Sequence, residues 1–331
     1  MNRDQIVQSL LHPNKVADQF FDLAMGVFHY QLAHCSVYKK HVKNLGIEID
    51  SIQTVDDIPC LPITAFKNYK IVSSKAKPQL HFESSGTTSA VNSKHYVSDL
   101  SLYRTISELT FYQFYGPVAD YCILGLLPSY LERNNSSLVY MVDHFISQSK
   151  DADSGFYLND HNSLMDILRR KQSTKTPTIL IGVSFALMDL ALLYKEDLSN
   201  IILMETGGMK GKRKELPRAS LHAMIKTAFN VSQVHSEYGM TELLSQGYSQ
   251  GNGLFREGYT MRCLSKQITD PLTKEKNGKT GVLNIIDLAN IDSCSFIETQ
   301  DLVKIHDDRT FEILGRIDQS DLRGCNLMLD S

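Results

Sequence analysis

The sequence predicts an α/β protein whose middle part alternates strands with helices and whose last part is rich in strands. Short apolar runs and amphipathic helical segments alternate from residue 121 to residue 235. From residue 280 onward, strands and turns replace that alternation. With 42% hydrophobic and 21% charged residues among 331, the composition is that of a globular chain able to bury a large core.

The chain is predicted to open with an amphipathic helix over residues 16–34. Val16, Phe20, Ala24 and Phe28 recur there at helical spacing. The elements predicted next are a strand over residues 80–83, a polar turn-rich segment over 84–93 and a helix over 100–114.

Parallel strands with crossover helices are predicted for the middle of the chain, because strands and helices of ordinary length alternate there. The predicted strands span residues 121–126, 178–182, 201–204 and 231–235, and the predicted helices span 163–170, 184–194 and 217–229. Further strands are predicted over residues 281–286, 295–298, 302–305 and 311–314. We expect a single domain over residues 1–331, with an α/β body over 1–278 and a β-rich tail over 279–331.

Charge and apolar patterning exclude several classes of function. The formal net charge of −3 offers no bulk basic surface, so we expect no nucleic-acid partner. The longest apolar stretch, residues 178–194, is interrupted by Ser184 and Asp189 and is too short to span a membrane. The N-terminus is too polar for a signal peptide, and six scattered cysteines form no C-x-x-C pair. We therefore expect a cytoplasmic protein with reduced thiols.

A hydroxyl-rich turn follows the strand predicted over residues 80–83. It consists of Ser84, Ser85, Gly86, Thr87 and Thr88. Hydroxyls and backbone N–H groups in a turn suit phosphate oxygens, and glycine lets the backbone approach a ligand closely. The turn lacks the G-x-x-x-x-G-K-[ST] pattern. The residues alone leave a phosphate-binding loop and a solvated turn equally open.

A second candidate segment contains Tyr238, Gly239, Thr241 and Glu242 and follows another predicted strand. A glutamate there is suited to Mg²⁺, the hard cation that bridges nucleotide phosphates. The threonine is suited to a phosphate oxygen, and the tyrosine offers a flat face to a purine. A simple strand-end turn is the alternative.

Two more segments carry groups suited to a nucleotide. Asp301, predicted at the junction of two short strands, is a hydrogen-bond acceptor for ribose hydroxyls, and Arg316 offers a planar fork of donors. Surface charge at hairpin turns is the alternative for both. Gly207 and Gly208 follow the strand predicted over residues 201–204, at the carboxyl end where ligands bind in open α/β sheets.

Together these segments resemble the adenylate-forming superfamily of acyl-CoA synthetases, adenylation domains and luciferases. The order SSGTT, TGG, YGMTE, T-x-D-L and G-R-x-D is spread over residues 84–318. Within the superfamily, residues 61–67, 181–184 and 323–327 resemble the acyl-protein synthetases of the bacterial luminescence fatty-acid reductase. The resemblance implies the superfamily's N-terminal-type body, with mixed and parallel sheets flanked by helices. It also implies a β-rich tail, and we expect no C-terminal swinging domain.

The resemblance implies a ligase that uses ATP and Mg²⁺ to convert a carboxylic acid to an acyl-adenylate. It assigns pyrophosphate to Ser84, Ser85, Gly86, Thr87 and Thr88, the surroundings of adenine and the acyl group to Gly207, Gly208, Tyr238 and Gly239, phosphate to Thr241, Mg²⁺ to Glu242, and ribose to Asp301 and Arg316. The sequence departs from the family pattern at Ser89, where a second glycine is usual, and at Gln300.

The resemblance also implies that Cys325 accepts the acyl group as a thioester, and a nearby Arg323 would lower the pKa of its thiol. Considered without the resemblance, Cys325 is a small terminal hydrophobe. Tyr130, Ser184 and Phe185 are candidates to line an acyl pocket, which suits a fatty or aromatic acid.

The expected partners are the acid and an acyl-accepting protein, either a reductase or a carrier protein, or CoA. Two alternatives stay open. One is an acid–CoA or acid–carrier-protein ligase like phenylacetate-CoA ligase. The other is a non-catalytic nucleotide- or acyl-binding homologue, which the departure at Ser89 keeps in consideration.

Overall fold

The computed structural model describes residues 1–73, 77–84, 92–127, 135–207 and 217–317. The helices are α1 (Arg3–Leu10), α2 (Pro13–Asp18), α3 (Phe20–His34), α4 (Ser36–Leu45), α5 (Ala65–Asn68), α6 (Leu100–Tyr115), α7 (Ser137–Gln148), α8 (His161–Thr174), α9 (Ser184–Leu193) and α10 (Arg218–Phe229). The strands are β1 (Leu61–Pro62), β2 (Leu80–Glu83), β3 (Lys94–Val97), β4 (Cys122–Leu126), β5 (Gly155–Phe156), β6 (Thr178–Val183), β7 (Ile202–Thr206), β8 (His235–Tyr238), β9 (Gly247–Ser249), β10 (Arg256–Glu257), β11 (Met261–Lys266), β12 (Thr280–Asp287), β13 (Phe296–Ile305) and β14 (Phe311–Arg316).

A seven-stranded sheet in the order β10-β9-β8-β7-β6-β4-β5 forms the centre of the α/β part. The five neighbouring strands β8, β7, β6, β4 and β5 are parallel to one another. β9 pairs antiparallel with β8, and β10 pairs antiparallel with β9. Successive residues of a strand point to opposite faces. Leu180 accordingly packs into a core with α8, α9 and α10, whereas Ile179 and Ile181 pack into the core that contains α6 and α7. Helices therefore cover both faces, as a parallel sheet requires.

A second sheet of five strands contains the tail of the chain. Its order is β1-β13-β12-β11, and β14 also pairs with β13. The N-terminal helices pack against this sheet through aromatic contacts. The ring of Phe296 stacks on Tyr38 at 5.4 Å and meets Phe28 edge-on at 6.0 Å. The first 45 residues thus belong to the same core as the tail.

A two-stranded antiparallel hairpin of β2 and β3 lies beside these sheets. It carries Ser84 at the end of β2, while residues 85–91 lie outside the described part of the chain. The hairpin enters the main core through Phe82 and Val97, which are buried. This packing fixes both ends of the hydroxyl-rich segment relative to the body.

The predicted α/β class, with flanking helices and a strand-rich tail, is confirmed. Three local predictions are wrong. The helix over residues 16–34 is divided at Gln19, whose φ of −124° and ψ of 26° interrupt it between α2 and α3. The strand predicted over 231–235 is instead β8, because Asn230 ends α10 with a positive φ of 51° and polar residues that bond inside the sheet continue the strand to Tyr238.

The third error concerns Asp301, which lies inside one continuous strand, β13, and not between two short ones. Burial alternates along β13, but the sequence conceals this alternation because two of the buried positions, Thr299 and Asp301, are polar. The buried Thr299 donates its hydroxyl to Leu283 O at 2.7 Å, so a polar run stays within the sheet.

None of the helices in the described ranges is long and apolar enough to cross a membrane.

Candidate nucleotide and acyl site

The carboxyl ends of β6, β7 and β8 lie side by side because these strands are parallel and paired in register. They lead directly into Ser184, Gly207 and Gly239. Gly207 has a φ of +65°, a conformation that side chains with a Cβ rarely adopt. The sequence-predicted turns of these three strands therefore meet at one edge of the sheet, where open α/β sheets bind ligands.

A buried carboxylate, Glu205, organises the turn after β7. Its oxygens accept hydrogen bonds from Ser184 Oγ at 2.8 Å and Ser236 Oγ at 3.0 Å, and Arg218 and His222 lie 3.6 and 3.5 Å away. Desolvation raises the pKa of Glu205, but His222, Arg218 and Ser184 outweigh it, and the net pKa is lowered.

Ser184 links this cluster to the turn itself, since its hydroxyl also contacts the carbonyl oxygen of Gly207. Because the hydroxyl is bonded within the protein and the residue is buried, Ser184 stabilises the glycine turn. Phe185, the next residue, is partly buried and packs against the core of α8, α9 and α10.

Tyr238, Asp301 and Arg316 form a single cluster that joins the two large sheets. The Tyr238 hydroxyl donates to Asp301 Oδ2 at 2.7 Å, and Arg316 Nε donates to Asp301 Oδ1 at 2.8 Å. Asp301 and Arg316 are directly opposed in β13 and β14, which explains their contact. Asp301 is only 5% exposed, whereas the Arg316 side chain is 65% exposed.

The electrostatics of this cluster follow from burial and from the single carboxylate at its centre. Burial and the neighbouring Asp301 raise the pKa of Tyr238 well above its ordinary value, so the phenol keeps its proton as a donor. Desolvation lowers the pKa of Arg316, but Asp301 outweighs this effect and raises it overall. A carboxylate has about four lone-pair positions, so Asp301 retains acceptor capacity for a ligand beside its two protein partners.

Directly before Tyr238, a second buried carboxyl, Glu237, supports the close approach of the backbone at Gly239. Thr206 Oγ1 donates to Glu237 Oε2 at 2.7 Å, and a Cβ added at Gly239 would lie 2.5 Å from Glu237 Oε1. Any larger residue at position 239 would force the Glu237 carboxyl to move. Burial raises the pKa of Glu237 to about 7, with a further contribution from the charge of Glu205.

The turn that contains Thr241 and Glu242 is fixed by three buried side chains from other segments. His95 Nδ1 bonds Thr241 O at 2.9 Å, and Asn290 Nδ2 donates to Glu242 O at 2.7 Å. Asp287 Oδ2 accepts from the N–H groups of residues 244 and 245 at 2.8 and 3.0 Å. Both carbonyl and amide groups of the turn are therefore held in place.

Glu242 itself is 5% exposed and lies close enough to Arg316 for its charge to raise the pKa of that arginine. Within the described ranges, no group of three or more His, Cys, Asp or Glu side chains forms a protein-only metal cage. The carboxylate of Glu242 fits Mg²⁺, which commonly takes one or two carboxylates and completes its shell with water and substrate phosphates.

The neck of the hydroxyl-rich loop is closed by paired hydrogen bonds between Ser84 and Ser93. Ser84 Oγ accepts from Ser93 N at 3.0 Å, and Ser84 N donates to Ser93 O at 3.1 Å. His95, two residues beyond the neck, bonds the Thr241 carbonyl. The hairpin and the Thr241–Glu242 turn are therefore held against each other.

Several predicted site residues lie outside the described residues, so their positions stay predictions. They are Ser85, Gly86, Thr87, Thr88, Tyr130, Gly208 and Cys325. Sequence reasoning missed five buried polar residues that hold the site together: His95, Glu205, Glu237, Asp287 and Asn290. The only signal in the sequence was that Glu205, Glu237 and Asp287 follow predicted strands within two residues, where a buried charge requires a partner.

The five cysteines in the described ranges share one environment. Cys35, Cys60, Cys122, Cys263 and Cys294 are all buried. Burial raises the pKa of each thiol, to about 12 for Cys60 and Cys122. Since the thiolate is the nucleophile, none of these five is suited to accept an acyl group.

Comparison with known proteins identifies relatives over nearly the whole chain. The family described as "Acyl-protein synthetase, LuxE" matches residues 8–331. The long-chain-fatty-acid–luciferin-component ligase of Aliivibrio fischeri is 21% identical over 341 residues, covering 93% of this chain and 86% of that protein.

Solved structures share the fold at low sequence identity. An open conformation of 2-hydroxyisobutyryl-CoA ligase, in complex with 2-HIB-AMP and CoA, matches with a TM-score of 0.65 and 11% identity, covering 92% of this chain and 71% of that one. ATP-bound MatB from Rhodopseudomonas palustris matches with a TM-score of 0.55 and 17% identity, covering 74% of this chain and 49% of that one.

Proposed function

Because this chain belongs to the LuxE family of acyl-protein synthetases, we propose that it activates a carboxylic acid with ATP and transfers the acyl group to a thiol. The observation that carries the proposal is the cluster in which Tyr238, at the carboxyl end of β8, contacts Asp301, which in turn pairs with Arg316. It combines a flat aromatic ring, a carboxylate with remaining acceptor capacity and an exposed guanidinium, which are the groups that adenine, ribose and phosphate require.

In this proposal, Tyr238 lies beside adenine, with Gly207, Gly208 and Gly239 providing backbone close to the nucleotide. Asp301 accepts hydrogen bonds from the ribose hydroxyls, and Arg316 donates to ribose or phosphate oxygens. The loop of Ser84, Ser85, Gly86, Thr87 and Thr88 holds the departing pyrophosphate. The closed neck at Ser84 and Ser93 supports this role, since it fixes the ends of the loop beside the Thr241–Glu242 turn.

Glu242 is the proposed Mg²⁺ ligand, and Thr241 is the proposed donor to a phosphate oxygen. When bound, Mg²⁺ neutralises charge on the phosphates and polarises them toward attack. The protein's own contribution is to hold Thr241 and Glu242 in a backbone turn that cannot shift independently, since Asp287 and Asn290 fix it. Donors fixed in this way do not need to reorganise as charge develops in the transition state.

The proposed reaction has two steps. In the first, a carboxylate oxygen attacks the α-phosphorus of ATP, the bond between that phosphorus and the bridging oxygen breaks, and pyrophosphate leaves with both electrons of the bond. The carboxylate is already deprotonated, so no general base is needed. In the second, a thiolate attacks the acyl carbon of the mixed anhydride and AMP leaves, and the thiol proton is released to solvent.

Cys325 is the proposed acyl acceptor. The sequence has six cysteines, and the five in the described ranges are buried thiols with raised pKa values. Arg323, two residues earlier in the sequence, is proposed to lower the pKa of the Cys325 thiol. From the thioester, the acyl group passes to a partner protein, for which we propose a reductase or carrier protein.

The proposed acid is a long-chain fatty acid. An aromatic acid is the alternative, because an apolar pocket suits either. The similarity to the Aliivibrio fischeri ligase supports the fatty acid. Tyr130 and Phe185 are the proposed apolar lining. Ser184 has its hydroxyl bonded to Glu205 and Gly207, so we propose that it shapes the pocket through the glycine turn.

Acid-dependent exchange of labelled pyrophosphate into ATP tests the first step. The panel contains straight-chain fatty acids of increasing length, aromatic acids and short hydroxy acids, each with Mg²⁺. We expect exchange with fatty acids and none without an acid. No exchange with any acid would refute the catalytic proposal and favour a non-catalytic nucleotide-binding role.

A pair of matched arginine variants tests whether the Asp301 cluster is the nucleotide site. Arg316 and Arg309 are both exposed and each pairs with a carboxylate, Asp301 or Glu257. Arg316→Gln should raise the KM for ATP in the exchange assay about tenfold, whereas Arg309→Gln should leave it unchanged. Equal effects of the two substitutions would contradict the assignment.

The runner-up function is an acid–CoA ligase, which the shared fold with 2-hydroxyisobutyryl-CoA ligase brings into consideration. The discriminating measurement follows a labelled acid in the presence of ATP with and without CoA. Label on the protein in the absence of CoA supports the acyl-protein synthetase. Label found only on CoA supports the alternative.

A further inference from the structure

A small cavity lies among residues that hold the Thr241–Glu242 turn in place. It has about 10 Å³ of space for the centre of a water-sized sphere, which is about the size needed for one water molecule. His95 and Ser98 line it from the β3 side, and Asn290 lines it from the segment that follows β12. Two of these side chains are the ones that bind the carbonyl oxygens of Thr241 and Glu242.

All three side chains carry a buried polar atom without a hydrogen-bond partner among the described residues. The atoms are His95 Nε2, Ser98 Oγ and Asn290 Oδ1, and the three residues are 1%, 8% and 1% exposed. Buried polar groups are almost always hydrogen-bonded. Three such atoms around one cavity therefore indicate a shared partner.

The hydrogen-bonding roles of the three atoms can be derived from their other contacts. Thr241 O is an acceptor, so His95 Nδ1 must carry the hydrogen. Burial lowers the pKa of His95 to about 4, so the ring is neutral and Nε2 is a bare acceptor. Asn290 Nδ2 donates to Glu242 O, which identifies Oδ1 as the other amide atom and an acceptor. Ser98 Oγ supplies a donor.

Two acceptors and one donor match a single water molecule, which donates twice and accepts at least once. Three hydrogen bonds are typical of a buried water. A cation fits less well, because the acidic side chains at this cavity, Asp99 and Asp292, already pair with Arg3 at 3.2 and 2.6 Å.

We propose that one buried water molecule joins His95, Ser98 and Asn290, and that His95 and Asn290 are thereby positioning residues for Thr241 and Glu242. The inference rests on the proposed function, because positioning matters only if Thr241 and Glu242 bind Mg²⁺ and phosphate. Through the water, the hairpin that carries the pyrophosphate loop and the segment after β12 hold the two carbonyls of the turn as one unit.

Ser98→Ala is the decisive variant, because no described hydrogen bond connects Ser98 to the turn and the water is its proposed link. We expect it to raise the concentration of Mg·ATP for half-maximal pyrophosphate exchange by about threefold to tenfold, with little change in the melting temperature. Ser173→Ala, a serine substitution at an exposed position of α8, is the matched control and should leave exchange unchanged.

His95→Phe preserves the packing on Phe66 but removes the bonds to Thr241 and to the water. It should raise the half-saturating Mg·ATP concentration more than Ser98→Ala does. Adding Ser98→Ala to His95→Phe should have little further effect, because the network is already broken. His81→Phe, the same change on the partly exposed side of the hairpin, is its control. If the two substitutions instead act independently, so that their separate increases in the half-saturating Mg·ATP concentration multiply in the double variant, the shared water is refuted.

A high-resolution crystal structure of the wild-type chain tests the inference independently of activity. Density for one water within hydrogen-bonding distance of His95 Nε2, Ser98 Oγ and Asn290 Oδ1 supports it, and an empty cavity refutes it. If wild-type protein shows no exchange with any acid, the proposed function fails, and this crystal structure still decides whether the water exists.

Discussion

Replacing Asp301 with asparagine separates a nucleotide-binding role of this residue from a structural one. Asp301 accepts from Tyr238 at 2.7 Å and from Arg316 at 2.8 Å. Asparagine has the same shape but one acceptor oxygen and no charge. Its oxygen can still accept from Tyr238, while its amide group then faces the exposed guanidinium, where water can intervene.

The magnitudes follow from burial. A hydrogen bond to a charged group contributes about 1.5–3 kcal/mol, but the Arg316 side chain is 65% exposed and its pairing is worth about 1 kcal/mol at most. Asp301→Asn should therefore destabilise the fold by about 1 kcal/mol. Loss of the charged acceptor for ribose should cost about 1.5–3 kcal/mol of ATP binding, which corresponds to a KM about tenfold to a hundredfold higher.

Tyr238→Phe is the matched variant because it keeps the ring and the carboxylate and removes only the bond between them. It leaves a buried carboxylate with one donor fewer, so it should destabilise the fold by about 1–2 kcal/mol. Its KM for ATP should change by less than about threefold.

The assays are pyrophosphate exchange as a function of ATP concentration and urea unfolding of both variants. The ranking should reverse between them, with Asp301→Asn worse in exchange and Tyr238→Phe worse in stability. If Asp301→Asn leaves the KM for ATP within twofold of wild type, Asp301 has a structural role and the ribose assignment is wrong.

Three further predictions concern Mg²⁺, the acyl acceptor and pH. Glu242→Gln should raise the Mg²⁺ concentration required for exchange about tenfold or more, and unchanged Mg²⁺ dependence would contradict its role as a ligand. Cys325→Ser should retain exchange but lose hydroxylamine-sensitive acyl label, whereas Cys294→Ser should retain both; label that persists on Cys325→Ser refutes the acceptor. The pKa of Glu237 is raised from 4.5 to about 7, so its protonated form stabilises the folded protein. This contribution to the free energy of unfolding is fully present below about pH 4.5 and is lost as the pH rises through 7. It amounts to about 3 kcal/mol. Glu237→Gln should flatten this dependence in urea unfolding, and an unchanged slope would show that Glu237 is not its source.

The strand and helix pattern of the α/β part could be predicted because each element has its own periodicity. The strand at Leu80–Glu83 has the predicted bounds, and β4, β6 and α10 differ from prediction by one residue at an end. The resemblance to acyl-protein synthetases and the ligase class are confirmed by the family match. The division between body and tail at residues 278 and 279 stays a prediction.

The contacts that assemble the site could not be predicted in the same way. Tyr238 and Asp301 are each nucleotide-binding candidates from their own segments, but they are 63 residues apart and belong to different sheets. Their hydrogen bond depends on how the sheets pack, which local patterns do not encode. The same holds for His95, which bonds a carbonyl 146 residues away, and for Asn290, which looks like an ordinary loop residue in the sequence.

The buried polar groups that hold the Thr241–Glu242 turn come from segments far apart in the sequence, so the site depends on the folding of all of them. Asp287 and Tyr238 are desolvated groups, and burial raises the pKa of both. Their desolvation opposes folding, and the hydrogen bonds to the turn and to Asp301 offset that cost. The turn is therefore fixed during folding and need not be ordered when a ligand binds. For this reason, substitutions of His95, Asp287 and Asn290, which bond the turn, should reduce exchange by more than their effect on stability predicts. None of these three residues is proposed to touch the acid or ATP.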